Sequence, residues 1–202
     1  MKLWSNRFAP SPRRVRMYCA EKGLSYELVE VDIAAREHLA PGYLAVNPVA
    51  ELPAAEFDDG QRLTESLAIC RRLEELHPEP PLFGRDGPER ARVNQWIDRL
   101  MFRLYVPMSH VFKHTHAFWA GRLTQVPAWG ELQRAEVLAE LAALDRHLAT
   151  SPFVAGPAFT MADVVAFTSI DFGKPSGIRV DPAQTHLHAW FEGIRARPSA
   201  KA

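Results

Sequence analysis

Cysteine is scarce in this chain: Cys19 and Cys70 are the only two among 202 residues. They lack Cys-x-x-Cys spacing, which argues against a disulfide framework and a thioredoxin-type dithiol and predicts a reducing, cytoplasmic setting. No run of about 18 apolar residues occurs, so no transmembrane helix is expected. The opening residues, Met1-Lys2-Leu3-Trp4-Ser5-Asn6-Arg7, lack the apolar stretch of a secretory signal. An excess of one charge is missing too: Lys+Arg and Asp+Glu both number 24. Neither nucleic acid nor an anionic membrane is an expected partner. Gly-rich phosphate loops and the Gly-x-Ser-x-Gly elbow are absent. His110 and His114 are spaced to share a helical face, but no His-Glu-x-x-His accompanies them, so no metal is expected.

What is present is ordinary for a globular protein: 47% apolar and 24% charged residues. The first part alternates short strands and helices. Lys2–Ser5 reads as a strand. Ser11-Pro12 opens a helical pattern that runs to Lys22, with Gly23 as a natural C′ residue. Tyr26–Val31 alternates as a strand. This strand-helix-strand order implies a parallel βαβ unit. A looser stretch holds a short helix near Ala34–Leu39 and a break at Pro41-Gly42. Asp59-Gly60 then joins two short runs, Ala54–Phe57 and Gln61–Thr64, as a hairpin. Glu65–Leu76 has one apolar helical face and stops before His77-Pro78.

Pro80, Pro81 and Gly84 mark a linker. Beyond it only helical patterns remain: Ala91–Leu104, Glu131–Leu148, Met161–Phe172 and Thr185–Ile194. The fold class is therefore α/β plus all-α, with an α/β domain over 1–78 and an all-helical domain over 87–202.

Three short motifs could carry chemistry, and a fourth is structural. Ser11 at a helix start can cap the helix, and its hydroxyl can also donate to a thiolate. Leu52-Pro53 before a strand reads as an edge proline or as a cis peptide that presents the Leu52 backbone. Thr64-Glu65-Ser66 reads as a helix cap or as a clamp in which Glu65 takes an ammonium and Ser66 a carboxylate. Thr160 and Asp163, flanked by Phe159 and Val164, form a capping box with a hydrophobic staple.

Together these motifs resemble the cytosolic glutathione S-transferases of bacterial type. The resemblance rests on Ala9-Pro10-Ser11-Pro12-Arg13-Arg14-Val15-Arg16, on Asn47-Pro48 with Leu52-Pro53, on Asp59-Gly60 through Leu63-Thr64-Glu65-Ser66, and on Phe153-Val154-Ala155-Gly156 through Asp163. It implies a thioredoxin-like N-terminal domain, a helical C-terminal domain, a homodimer and a detoxifying role with reduced glutathione as cosubstrate. By position, Ser11 resembles the hydroxyl residue that activates the sulfur. Leu52 and Pro53 would pair with the cysteinyl part. Glu65 and Ser66 would hold the γ-glutamyl end, and His38 the glycine carboxylate. Glu51 joins this set as a departure, because the loop reads Ala50-Glu51-Leu52-Pro53 where the family usually has Gly-Gln-Val-Pro. A Glu51 carboxylate facing the glycine carboxylate would oppose like charges. A small hydrophobic electrophile would meet Tyr105, Met108, Phe112 and Trp119 in an apolar cleft. Two other readings share this scaffold: a non-catalytic binding protein, and a glutathione-dependent disulfide or peroxide reductase.

Overall fold

The computed structural model describes residues 1–202. It divides into two compact units, Met1–Pro81 with Pro198–Ala202, and Leu82–Arg197. The sequence pattern assigns the last five residues to the helical domain, yet they belong to the first unit. Arg13 donates to the Ala200 carbonyl at 2.7 Å, and the Ser199 hydroxyl bonds to Glu21.

The first unit is built on strands β1 (Lys2–Ser5), β2 (Glu27–Glu30), β3 (Ala54–Glu56) and β4 (Arg62–Thr64), in the order β2-β1-β3-β4. β1 and β2 are parallel, whereas β3 runs antiparallel to β1 and to β4. Helix α1 (Pro10–Lys22) makes the crossover between the parallel pair, and α3 (Ser66–Leu76) follows β4 and packs on α1. Leu3, Val15, Ile69, Cys70 and Leu73 fill the space beneath them. Gly23 ends α1 with φ 64°, a conformation that costs glycine little.

Pro41-Gly42 begins a short helix, α2 (Pro41–Leu44), instead of breaking one, because proline suits the first helical position. The expected Ala34–Leu39 helix shrinks to a 3-10 turn at Glu37–Leu39. Asp32 caps the preceding bend by accepting from the N–H groups of Ala34 and Ala35.

The second unit holds α4 (Gly87–Leu100), α5 (Val106–Thr115), α6 (Pro127–Leu148), α7 (Met161–Asp171) and α8 (Thr185–Arg195). Helix α7 is buried from Met161 to Ile170, which explains its lack of a polar face. A π-helical turn, Met101–Tyr105, joins α4 to α5. Its cause is Pro107, which has no N–H to offer Arg103 and whose ring would crowd that carbonyl in a regular helix. Gly130 lets α6 approach α5, since a Cβ there would lie 2.5 Å from the Thr115 methyl. No helix is long and apolar enough to cross a membrane.

The Thr160–Asp163 capping box forms as the spacing predicts. Asp163 is fully buried and accepts from Val154 N–H and Thr160 N–H at 2.9 Å, and from Trp190 Nε1–H at 3.0 Å.

Candidate functional site

Strand register assembles the site at one end of the sheet. The C-terminal end of β1 lies beside the start of β3, with Trp4 opposite Ala54. Ala54 in turn lies opposite Thr64 at the end of β4. The β1–α1 loop, the segment before Ala54 and the residues after Thr64 therefore leave the sheet at the same edge. Ser11, Leu52-Pro53 and Glu65-Ser66 are placed there by three different crossings of the sheet. The parallel β1–β2 pair, with Ser5 opposite Glu30, sends the segment that carries His38 off this same end.

The β1–α1 loop is braced from within. Arg16 donates to the carbonyls of Asn6 at 3.1 Å and Arg7 at 3.2 Å. The Asn6 amide donates to Val31 O, and its oxygen accepts from Phe8 N–H. Helix α1 then starts earlier than Ser11-Pro12 suggests. Ala9 is the N-cap and makes no side-chain cap bond, Pro10 takes the first position, and Ser11 the second. Ser11 is thus not the cap. Because Pro10 and Pro12 have no N–H, Ser11 carries the only backbone donor among the first three helical residues. Ser11 therefore lies at the positive end of the helix.

The Leu52–Pro53 bond is cis, and a second cis bond, Glu79–Pro80, lies in the linker. Ahead of Leu52, the buried side chains of Asn47 and Tyr43 both donate to the Glu51 carbonyl, at 2.7 and 2.5 Å. Asn47 Oδ1 also accepts from Val49 N–H. The loop is fixed through the Glu51 backbone, while the Glu51 side chain is exposed. Asn47 is visible in the sequence as part of Asn47-Pro48; the contribution of Tyr43 depends on α2, which at four residues is too short to show a helical period.

Glu65, not Thr64, stands at the N-cap of α3, with φ 64° and ψ 114°. Such a conformation costs a non-glycine residue on the order of 1–3 kcal/mol and gathers at functional sites. It leaves the Glu65 carboxylate exposed and sets Ser66 buried at the first helical position. Beneath them lies Arg14 of α1, 1% exposed, whose guanidinium reaches the Ser66 hydroxyl at 3.5 Å.

The remaining candidates separate. Met108 is 0% exposed and belongs to the helical core, so it lines no open surface. Phe112 and Trp119 are half-buried in a ring cluster: Phe112 meets Trp119 at 6.1 Å and Phe172 at 5.2 Å. Tyr105 is half-buried at the end of the π-helical turn. Both cysteines are buried, which pushes the Cys19 thiol up to about 12 and the Cys70 thiol well above its ordinary range. Neither is a ready nucleophile. Tyr18 is buried, donates to Glu74, and is likewise pushed upward by burial. A cleft of about 560 Å³ lies at the opposite end of the sheet, lined by Met1, Gly23, Phe57, Asp58 and His77 among others. It contains none of the predicted site residues. No group of three or more His, Cys, Asp or Glu is placed to hold a metal.

The first unit is a small four-stranded mixed sheet with a braced helix start, the Leu52-Pro53 loop and the positive-φ corner at Glu65 gathered at one end, which defines a thioredoxin-like class of fold. Family profiles agree: one for the glutathione S-transferase N-terminal domain matches residues 3–81, and one for the C-terminal domain matches 130–198. The chain is 30% identical to glutathione S-transferase 2 of Saccharomyces cerevisiae, over 100% of this chain and 88% of the relative. It is 29% identical to glutathione S-transferase F9 of Arabidopsis thaliana, over 100% and 94%. Among solved structures, Gtt2 of S. cerevisiae aligns with TM-score 0.93 at 30% identity, covering 100% of this chain and 99% of that one. A glutathione S-transferase domain-containing protein of Marinobacter aquaeolei aligns with TM-score 0.93 at 32% identity, covering 98% and 99%. The chain belongs to the glutathione S-transferase family and is a transferase that uses glutathione.

Proposed function

We propose that the chain conjugates the glutathione thiolate to a small hydrophobic electrophile, and that the sheet-edge site holds the tripeptide. The convergence of Ser11, Leu52-Pro53 and Glu65-Ser66 at one edge carries this reading. The exposed Glu65 carboxylate takes the γ-glutamyl ammonium, and Ser66 with the N-terminus of α3 takes its carboxylate. The Leu52 backbone pairs with the cysteinyl residue, as one added strand would. The thiol then lies over the first turn of α1. There the Ser11 hydroxyl and N–H favour its ionised form. His38 receives the glycine end. The Glu51 carboxylate, exposed on the same loop, weakens the hold on that end instead of strengthening it. Rings of Phe112 and Trp119, with Tyr105, offer apolar surface to the electrophile. A homodimer in the cytoplasm is the setting we infer.

The inert burial of Cys19 and Cys70 favours a transferase over a reductase that relays electrons through a protein thiol. The test is a pair of assays on the purified protein. Conjugation of an aryl halide should be readily measured, and reduction of a glutathione mixed disulfide should be slow. Fast disulfide reduction without conjugation would replace this reading with the reductase.

A further inference from the structure

Arg14 is the largest of the fully buried side chains, and its charge takes part in no step described above. Enclosing a guanidinium is costly unless its donors are used. One of them, Nη1, reaches Ser66 Oγ at 3.5 Å, between α1 and the first residue of α3. Ser66 is 5% exposed, so this contact is shielded from water. Its field also extends along α3, where it opposes the upward push of burial on Cys70.

A serine hydroxyl has one proton to give and two lone pairs to receive. With a lone pair engaged by Arg14, the Ser66 proton is directed to another acceptor. Ser66 is also the residue whose hydroxyl opens α3, at the positive end of that helix. We propose that Arg14 is a positioning residue for substrate recognition: from beneath the site it polarises and aims the Ser66 hydroxyl at the α-carboxylate of the γ-glutamyl group. This assignment rests on the glutathione site proposed above. It makes Arg14 a determinant of specificity for peptides with a free carboxylate at that end, although Arg14 itself touches no ligand.

The test compares reduced glutathione with 4-aminobutyryl-cysteinyl-glycine, which keeps the ammonium and lacks only that carboxylate. Wild type should bind glutathione at least about tenfold more tightly than the analogue, the range of a charge-assisted hydrogen bond. Arg14→Met should lose about tenfold toward glutathione and almost nothing toward the analogue, so the preference collapses. Ser66→Ala should do the same. The double variant should be no worse than either single one, because both remove a single interaction. If Arg14→Met does not fold, Arg14→Lys carries the test: it keeps the charge, loses the reach, and should narrow the preference by about threefold or more. A merely structural Arg14 would lower the melting temperature and leave the preference intact, which overturns the assignment. Wild-type protein that binds neither peptide would instead overturn the glutathione site itself.

Discussion

Glu65 holds the tension of the site in one residue. Its φ of 64° favours glycine, yet the carboxylate is what the γ-glutamyl ammonium would need. Glu65→Gly should therefore be at least as stable as wild type while binding glutathione at least about tenfold more weakly. Thermal melting and calorimetry on the same sample check both halves. Ser11 makes a second residue-level prediction. Ser11→Ala should slow turnover about ten- to hundredfold and raise the pH at which the bound thiol ionises, read by thiolate absorbance. Unchanged turnover would reduce Ser11 to a backbone donor. Asp163 makes a third. Burial raises its carboxyl from 3.8 to about 6, and the hydrogen bonds from Val154, Thr160 and Trp190 oppose the rise. The folded chain then binds a proton more readily than the unfolded one. That contribution is fully present below about 3.8 and is lost as pH rises through about 6. Wild-type stability measured relative to Asp163→Asn should fall by about 2 kcal/mol between pH 4 and pH 7, read by urea unfolding.

At the scale of elements, most of the chain was legible and the ends of elements were not. β1 matches its Lys2–Ser5 pattern, and the Asp59-Gly60 turn joins β3 and β4 as expected. Periodicity reports which residues are buried, and turn residues report where the chain reverses. Helix starts depend on a single residue's φ and ψ, and there the structure departs from the sequence pattern. Ser11-Pro12 and Pro10 each satisfy the first-turn rule, and only geometry selects Pro10. Likewise Thr64 is the better cap by composition, yet the chain bends at Glu65. The π-helical turn was hidden because Pro107 can be absorbed in several ways. Ala9, the true cap of α1, lacks a capping side chain. Ala9→Ser should add roughly 0.5–1 kcal/mol of stability, visible as a higher urea midpoint.

For the whole molecule, the order of the motifs identified the family, because four weak signals in one sequence order are hard to produce by chance. Long-range returns were not legible. Arg14 beneath Ser66 and the packing of Pro198–Ala202 on the first unit join residues 52 and 187 positions apart. No local pattern encodes such contacts. The same holds for Met108: its helical spacing suits a cleft as well as a core, and its complete burial assigns it to the core. The surface proposed for the electrophile is the least legible part, since the rings of Phe112, Trp119 and Phe172 come together by packing and not through a motif.

Everything proposed above turns on whether the sheet end at Ser11, Leu52-Pro53 and Glu65-Ser66 binds glutathione. Calorimetric titration of the purified chain with reduced glutathione tests it most directly. Saturable binding in the micromolar to millimolar range that disappears in a folded Glu65→Ala variant is the expected result. Absence of heat at several temperatures, with no thermal shift at millimolar peptide, would contradict it, as would wild-type affinity in Glu65→Ala.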